Sequence, residues 1–337
     1  MQAVLIINPT SGISTIATIE GTPEAREAAT LAALHAHGIE TKVVYTTPED
    51  HGAHLAAQAA AEEAEIVIAA GGDGTVHEVA SGLIGSQTAL GIIPIGTMNN
   101  LAHSLSIPDR IEEACAVIAT GEIISVDMGK INEGCFLEAA GIGLEAALFP
   151  AAEEVKSPGL LSTLRGIIDG LRILLAYQPA KLRISIDEHR RRPYRAIQIT
   201  ICNSRFYGLN FELVPDAVMD DGLLDVVIYR NFSKLEYLRH AIAIVQGKPL
   251  YQPKVIHRRI KSLHITSDHP MEIQADGLPH GHTPATVTVL PGALRVYVPM
   301  GAQLTSGRYS TDRNSAQPTS RDESLRPFSQ KGSVNVR

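Results

Sequence analysis

The chain has 337 residues, a length that suits two ordinary domains, and 45% of them are hydrophobic, which is enough for a packed core in each. Its formal net charge of -7 argues against bulk binding to nucleic acid. The cysteines Cys115, Cys135 and Cys202 are too few and too far apart to indicate a disulfide framework or a zinc site, so we expect a reducing compartment such as the cytoplasm.

Residues 1 to about 125 alternate strand-like and helix-like segments, a pattern typical of an open parallel sheet with helices on both faces. Strands are predicted at Ala3–Ile7, Lys42–Thr46, Ile66–Ala70 and Ala89–Pro94. Helices are predicted at Pro23–His37, Gly52–Glu63, Thr75–Ile84 and about Asp109–Thr120. The first part of the chain is therefore expected to be a three-layer α/β domain.

Past Ser125 the chain becomes rich in β-forming segments, which predict a second domain of mostly antiparallel strands. The predicted strands are Cys135–Ala140, Lys181–Asp187, Tyr194–Asn203, Leu223–Tyr229, Ser262–Thr266, Met271–Ala275 and Thr286–Val289. Two helices interrupt them, at Gly159–Tyr177 and at Ser233–Gln246, where Ser233 is the expected N-cap with Glu236 three residues on. Residues 302–337 contain few apolar side chains and predict a disordered tail.

A glycine-rich turn, Gly71-Gly72-Asp73-Gly74-Thr75, leads from the third predicted strand into a helix. Such a turn exposes backbone N–H groups at the positive end of the helix dipole, which favours phosphate. The turn fits neither the Walker A pattern nor GxGxxG, because it places a carboxylate among its glycines. Asp73 then either serves a nucleotide with bound Mg²⁺, which neutralises both charges, or caps the helix in a purely structural turn.

Two further polar turns follow neighbouring strands of the same predicted sheet. Asn8–Gly12 comes after the first strand, and Pro94–Asn100 comes after the fourth. Because α/β folds bind ligands at the carboxyl ends of parallel strands, we expect these turns to converge with Gly71–Thr75 in one site.

Seven segments carry a resemblance to a known family: NPTSG (Asn8–Gly12), GGDGTVHEVASGL (Gly71–Leu83), PIGTMNN (Pro94–Asn100), VDMGK (Val126–Lys130), FLEAAGIGLEA (Phe136–Ala146), LVPDAVMDDGLLDVVI (Leu213–Ile228) and QADG (Gln274–Gly277). Together, and in this order, they resemble the diacylglycerol kinase catalytic-domain family. That family includes bacterial lipid kinases and the sphingosine and ceramide kinases, with NAD kinases as distant relatives. The resemblance implies an α/β ATP-binding domain over residues 1–125, joined by a returning strand at 293–301, and a β-sandwich lipid-substrate domain over 126–292.

The resemblance also implies site residues. Nucleotide contacts are expected at Asn8, Pro9, Thr10, Ser11, Gly12, Thr47, Gly71, Gly72, Asp73, Gly74, Thr75, Val76, His77 and Thr97. Asp73 and Asp276 are the expected catalytic carboxylates, and Asp127 belongs to an acidic network near Mg²⁺. A structural Mg²⁺ is expected on the side chain of Asp221 and the carbonyl oxygens of Val218 and Leu223. Without the resemblance, the DDG segment at 220–222 indicates no more than a solvated turn.

Two positions depart from the family pattern. Members commonly have Asp-Gly-Glu near the end of the domain, with the glutamate as proton acceptor, whereas this chain has Leu278 after Asp276 and Gly277. Phosphoryl transfer depends mainly on positioning and electrostatics, so the loss need not abolish the reaction, and Asp276 remains as proton acceptor or orienter. His280 and His282 are near in sequence, although polar loop side chains are their more usual role. Asn100 stands where many members have Asp.

Three other patterns have a structural and a functional interpretation. Gly141–Ala146 satisfies the dinucleotide fingerprint GxGxxA, but its β-rich surroundings disfavour a dehydrogenase. Gly159–Tyr177 places eight Leu and Ile side chains at helical spacing, which is typical of a core helix, with the border of an acyl-chain entrance as the alternative. The charges within that segment exclude a membrane span. Arg190–Arg192 indicates a solvated hairpin tip rather than an anion site.

The resulting hypothesis is an ATP- and Mg²⁺-dependent phosphotransferase that acts on a hydroxyl of diacylglycerol or a related lipid. Its expected partner is a lipid substrate at the membrane surface, reached from the cytoplasm, with a homodimer among the states that the sequence allows. Two alternatives stay open at this point. One is a catalytically weak nucleotide- or lipid-binding protein that lacks a base because of Leu278, and the other is a soluble-substrate kinase related to the NAD kinases.

Overall fold

The structure, a computed structural model, describes residues 1–9, 22–47, 49–156, 160–189, 191–208, 211–245 and 254–302. Its N-terminal part contains a parallel sheet in the order β2-β1-β3-β4. The strands are β1 (Gln2–Ile7), β2 (Glu40–Tyr45), β3 (Ile66–Gly71) and β4 (Ala89–Pro94). All residues of β3 and β4 are buried, because helices cover both faces of the sheet, as expected for strands that are apolar throughout.

Two pairs of helices form the outer layers of this domain. α1 (Pro23–Ala36) and α5 (Ile111–Thr120) pack on one face, where the core includes Leu5, Leu34, Ile68, Cys115 and Ile118. α2 (Gly52–Ala61) and α3 (Asp73–Gly82) pack on the other, where it includes Ile6, Leu55, Val67, Val79 and Ile92. Successive side chains of each strand therefore enter opposite cores, as the alternation of a strand requires. A short helix, α4 (Asn100–Ser104), follows β4.

The C-terminal part is β-rich. Its elements in chain order are β5 (Glu122–Ile131), β6 (Gly134–Phe136), β7 (Ala139–Gly143), α6 (Leu144–Lys156), α7 (Leu160–Ala176), β8 (Ala180–Ile186), β9 (Arg192–Cys202), β10 (Phe206–Tyr207), β11 (Phe211–Glu212), β12 (Leu224–Arg230), α8 (Lys234–Val245), β13 (Val255–Ile260), β14 (Ser262–Ser267), β15 (Glu272–Ala275), β16 (Leu278–His282) and β17 (Ala285–Val298). Most strands pair antiparallel in the order β16-β15-β7-β9-β8-β14-β17. A second large core of Ile, Leu and Val side chains lies within this part.

The long strand β17 belongs to both parts of the molecule. Its first residues pair antiparallel with β14, and its last residues pair parallel with β4 of the N-terminal sheet. Along its other edge it pairs antiparallel with β5, with a register shift between Leu290 and Leu294. This shared strand fixes the two sheets beside each other, so that the loops after β1, β3 and β4 lie near the β-rich part.

The fold class predicted from the sequence, an α/β domain followed by a β-rich domain, is confirmed. All eight elements predicted before residue 121 exist, with ends that differ by about two residues. The predicted capping box is also present, because the hydroxyl of Ser233 and the carboxylate of Glu236 bond each other's backbone N–H groups at 3.3 and 2.9 Å. Residues 303–337, most of the predicted tail, lie outside the described residues.

Two predictions about the β-rich part were wrong. Cys135–Ala140 is not one strand but two, β6 and β7, because the backbone turns between them at Leu137 and Glu138. The predicted core role of the α7 stripe holds for Leu174, which is buried, while six of its neighbours are exposed: Leu161, Leu164, Ile167, Ile168, Leu171 and Leu175. Within the described residues, no helix is both long enough and apolar enough to cross a membrane.

Candidate active site

The predicted polar turns converge at the carboxyl ends of β1, β3 and β4. The backbone N–H of Asn8 donates to the carbonyl oxygen of Ala70 at 3.4 Å, and that of Ile95 donates to the carbonyl oxygen of Gly71 at 3.0 Å. The side-chain amide of Asn8 donates to the hydroxyl of Thr75 at 3.3 Å. Three residues of the first turn, Thr10, Ser11 and Gly12, lie outside the described residues.

The glycines of this region have different steric surroundings. A Cβ on Gly71 would collide with the side chain of Thr75 in the same turn, and a Cβ on Gly96 would collide with the backbone of Gly72, so Gly96 lets the two loops touch. A Cβ on Gly74 would meet nothing within 4 Å. Close packing therefore explains Gly71 and Gly96, whereas Gly74 faces open space in the first turn of α3, where a phosphate could approach the backbone.

Asp73 is the first residue of α3, yet its carboxylate binds another helix. It accepts hydrogen bonds from the backbone N–H groups of Asn99, Asn100 and Leu101 at the start of α4. Burial raises the pKa of Asp73, these amide bonds oppose that rise, and the charge of Asp276 adds to it. The interpretation of Asp73 as the cap of the helix that follows it is wrong, because Asp73 is itself the first residue of α3 and its carboxylate binds the start of α4.

Glu138 is a buried carboxyl of the site that the sequence did not single out. Its side chain accepts a hydrogen bond from the amide of Asn100 at 3.1 Å and forms another with Asp73. Burial raises the pKa of Glu138 well above its usual range, and the charges of Asp73 and Asp276 raise it further. Burial and the charges of neighbouring acids thus raise the pKa of both Asp73 and Glu138. The available signal was a charged residue within the apolar run Phe136–Ala140.

Asp276 lies between β15 and β16 with a left-handed backbone, φ 43°. Its Oδ1 accepts the backbone N–H groups of Glu138 and Ala139 at 3.0 and 2.9 Å. Its Oδ2 accepts the N–H of Leu137 at 2.6 Å and contacts Nδ1 of His77 at 2.7 Å. The carboxylate therefore holds the β6–β7 turn and the His77 ring, with each oxygen already bound twice.

His77 projects from α3 one turn after Asp73. Burial disfavours its charged form, but the hydrogen bond and the charge of Asp276, together with the charge of Glu78, raise the pKa of His77. His280 on β16 is close enough to respond to it: burial lowers the pKa of His280, and the charge of His77 lowers it further. The Asp276–His77 pair links the first domain to the second across the site.

The remaining predicted nucleotide contacts differ in how they are held. Thr47 follows β2 and closes a small loop, because its hydroxyl accepts the N–H of Asp50 at 3.0 Å. Val76 is buried in the helix–sheet core, which leaves only its backbone for a ligand. Thr97 is exposed between β4 and α4, and Pro9 is exposed after β1. Each lies in a segment that follows a strand of the parallel sheet, except Val76 inside α3.

The predicted cation ligands Val218, Asp221 and Leu223 lie in the turn before β12. The carboxylate of Asp221 accepts the N–H of Leu223 at 3.0 Å and forms an ion pair with Arg259, so a cation there must compete with a guanidinium. Asp127 anchors the same turn, because its carboxylate accepts the N–H groups of Gly222 and Gly292 at 2.6 and 2.8 Å. In the part of the chain that the structure describes, no cluster of three or more His, Cys, Asp or Glu side chains could by itself hold a metal ion.

The donor set at Asp73 and Glu138 nevertheless suits Mg²⁺. This ion prefers one or two carboxylates supplemented by phosphate oxygens and waters, so it needs no cluster of three protein ligands. A divalent cation would relieve the repulsion between two neighbouring buried acids and favour their charged forms. The site fits a metal that arrives with a nucleotide.

Comparison with protein families gives two matches that together cover the folded part of the chain. The diacylglycerol kinase catalytic domain matches residues 2–131. The YegS C-terminal NAD kinase beta sandwich-like domain matches residues 139–298. The first match contains the three polar turns, and the second contains Asp276.

Relatives of known name and relatives of known structure match this chain over nearly their whole length. The chain is 32% identical over 303 residues to a diacylglycerol kinase of Staphylococcus aureus (strain JH9), covering 88% of this chain and 92% of the relative. It is 28% identical over 303 residues to a diacylglycerol kinase of Bacillus subtilis (strain 168), covering 88% and 96%. A crystal structure of a diacylglycerol kinase from Bacillus anthracis str. Sterne superposes with a TM-score of 0.67 at 22% identity, covering 88% and 96%, which supports the fold.

Proposed function

Because the chain belongs to the diacylglycerol kinase family, whose members transfer a phosphoryl group to an alcohol, we propose that it moves the γ-phosphoryl group of ATP to a hydroxyl of diacylglycerol or a related lipid. The observation that carries this proposal is the meeting of three features in one crevice. Open backbone at Gly74 suits phosphate, Asp73 with Glu138 suits a divalent cation, and Asp276 orients an imidazole.

ATP would bind at the carboxyl ends of the parallel strands. The N–H groups of the Gly71–Gly74 turn and the start of α3 would hold its phosphates, with Asn8, Thr47 and Thr97 around them. Mg²⁺, when bound with the nucleotide, supplies neutralisation of the phosphate charge. Asp73 and Glu138 would hold that ion, and Asp276 would keep the imidazole and the β6–β7 turn in position. A second cation at Asp221, Val218 and Leu223 would displace Arg259 from its ion pair.

The direct test incubates the purified protein with labelled ATP, Mg²⁺ and a panel of dispersed lipids that includes diacylglycerols and long-chain bases. We expect a phosphorylated lipid, and we expect its formation to stop when a chelator removes Mg²⁺ and to resume when Mg²⁺ is restored. Binding of ATP without any lipid product would instead favour the nucleotide-binding protein without turnover. Product from NAD alone would favour the soluble-substrate kinase.

Access to the lipid has a candidate surface on α7. We define the α7 apolar face as Leu161, Leu164, Ile167, Ile168, Leu171 and Leu175, all of which are exposed, with Leu161 reaching 83%. Their spacing places them along one side of the helix, and α8 adds exposed Leu235, Leu238 and Ile242. Apolar patches of this kind mark contacts with membranes or other proteins. In a lipid kinase, the α7 apolar face would rest on the membrane that contains the substrate.

Replacing Leu164 and Leu171 together by Ser is expected to weaken binding to vesicles about tenfold or more. Each substitution removes an apolar side chain that is exposed in the free protein and would be buried in the membrane. Sedimentation with vesicles measures binding, and phosphorylation of a detergent-dispersed lipid should change by less than about threefold. Met300→Ser is the matched control, since Met300 is 71% exposed in the turn after β17. Equal vesicle binding by the double variant and the wild type would exclude this surface.

A further inference from the structure

The proposed reaction requires that a proton leave the lipid hydroxyl, and the site contains a limited set of groups that could take it. Residue 278, where the resemblance would place a glutamate, is a leucine with 50% of its surface exposed at the start of β16. Among the described residues, the titratable side chains that act on one another there are Asp73, His77, Glu138, Asp276 and His280, with Tyr207 near Asp276. Burial raises the pKa of the Tyr207 phenol well above its usual range, so this group keeps its own proton. Hydrogen bonds distinguish the other groups from one another.

The three carboxyls are already engaged. Both oxygens of Asp276 accept two contacts each, from three backbone N–H groups and from His77. Asp73 accepts three backbone N–H groups at the start of α4, and Glu138 accepts the side-chain amide of Asn100 at 3.1 Å. Accepting a substrate proton at any of these oxygens would require breaking hydrogen bonds that hold the β6–β7 turn or α4 in place. Their geometry suits positioning.

The hydrogen bonding of the His77 ring differs from that of these carboxyls. Because the Asp276 carboxylate can only accept, Nδ1 of His77 carries the proton that bridges them at 2.7 Å, and the lone pair lies on Nε2. Among the described residues, the hydrogen bond that the structure shows for the His77 ring is the one to Asp276, and it involves Nδ1 rather than Nε2. The side chains of His77 and Asp276 are only 13% and 6% exposed, so the pair is largely shielded from water. A carboxylate that fixes the tautomer of a histidine is the arrangement of a general base.

The position of His77 on α3 also matches this role. It follows Asp73 by four residues, which places both side chains on one face of the helix, about one turn apart. The start of α3 is where the proposed ATP phosphates would lie. An acceptor hydroxyl that approached them from the second domain would therefore come close to the ring.

We propose that His77, oriented by Asp276, is the general base of this chain and does the work that a glutamate at position 278 would otherwise do. The inference rests on the proposed kinase function. In the step, Nε2 of His77 takes the proton of the lipid hydroxyl while the hydroxyl oxygen forms a bond to the γ-phosphorus of ATP. The bond between that phosphorus and the bridging oxygen breaks, and ADP leaves with the electron pair.

The charges around His77 determine its pH dependence. Asp276 and Glu78 favour the imidazolium, while His280 on β16 disfavours it when protonated. The base must be neutral, so the rate should rise with pH as His77 loses its proton. Because the pKa of His77 is raised, that rise should lie above about pH 6.5, the ordinary value for an imidazole.

The experiment compares wild type, His77→Gln and His257→Gln in kcat for lipid phosphorylation from pH 5.5 to 9. We expect His77→Gln to lower kcat about 10²–10³-fold, to abolish the rise with pH and to leave ATP affinity within about threefold. His257→Gln, which removes an imidazole on β13 that another carboxylate, that of Asp225, contacts at 2.6 Å, should keep kcat within about threefold. Full activity of His77→Gln with an unchanged pH profile would overturn the inference while leaving the proposed function intact.

Titration of the histidine rings by NMR provides a measurement that does not need turnover. In the wild-type protein without ATP, we expect the His77 ring to titrate above the ordinary value, and Asp276→Asn should lower its midpoint. A His77 ring that titrates at the ordinary value, or that ignores Asp276→Asn, contradicts the pairing. No lipid product from the wild type, with this titration as expected, would contradict the proposed function and not the pairing itself.

Discussion

Asp73→Asn is expected to lower kcat for lipid phosphorylation about 10²–10³-fold while the protein stays folded. The substitution removes the negative charge that would share Mg²⁺ with Glu138, and it keeps one oxygen that can accept a backbone N–H from the start of α4. A neutral amide next to Glu138 no longer supplies the charge that a divalent cation needs. The measurement is kcat at saturating ATP and lipid, with the Mg²⁺ concentration varied.

The control for Asp73→Asn is Asp109→Asn. Asp109 is an exposed acid whose carboxylate contacts Asn99 at 3.3 Å and His103 at 3.1 Å, so it borders the same loop without reaching the carboxyl cluster. We expect its kcat and Mg²⁺ dependence to stay within about threefold of wild type. Wild-type turnover by Asp73→Asn would mean that the carboxylate serves only to cap α4, and the proposed cation site would then be wrong.

Gly71→Ala and Gly74→Ala are expected to have opposite effects on stability, although they lie in one turn. The methyl group that Gly71→Ala adds would be forced against the side chain of Thr75, so this variant should lose about 3 kcal/mol or more of unfolding free energy. Gly74 lies inside α3, where alanine favours the helix by up to about 1 kcal/mol and meets no neighbouring atom. Thermal unfolding should show a lowered midpoint for Gly71→Ala and an equal or raised midpoint for Gly74→Ala.

The same pair should separate stability from nucleotide binding. Because the added methyl of Gly74→Ala occupies the space where a phosphate would approach the backbone, we expect ATP affinity to fall about tenfold or more in the more stable variant. Calorimetric titration with ATP and Mg²⁺ measures this directly. Unchanged affinity in Gly74→Ala would show that phosphate does not approach α3 there, and the proposed ATP position would have to be abandoned.

The sequence predicted the parallel sheet and the convergence of its turns because both depend on local patterns. β3 and β4 are uninterrupted apolar runs, and the glycines of Gly71–Gly74 mark the strand-to-helix turn by their chemistry. The α4 helix was not predicted, since it is only five residues long and its start is capped by Asp73, which is distant in sequence. The α6 helix was not predicted either. It begins at Leu144, in the middle of the GIGLEA segment, whose first three residues still belong to strand β7.

The carboxyl cluster shows where local patterns end. Asp73 and Asp276 were each predicted as catalytic, and the structure brings both to Glu138, which lies in the segment Phe136–Ala146 but was given no role there. Asp276 was assigned as proton acceptor or orienter, and its four hydrogen bonds favour the orienting role. His77 was predicted only as a nucleotide contact, because its partner is 199 residues away along the chain. Pairings between residues so far apart in sequence depend on how the sheets pack together. A short stretch of sequence does not contain that information.

The strand β17 has a consequence for how the protein is made. It supplies the neighbour of β4 in the N-terminal sheet, yet it ends at Val298, so it leaves the ribosome well after β1 to β4 have been made. Segments emerge in chain order, so the N-terminal sheet lacks this neighbour while the residues between β4 and β17 are synthesised. During that time the edge of β4 is unpaired, and an open strand edge is exposed to wrong pairing or to binding by a chaperone.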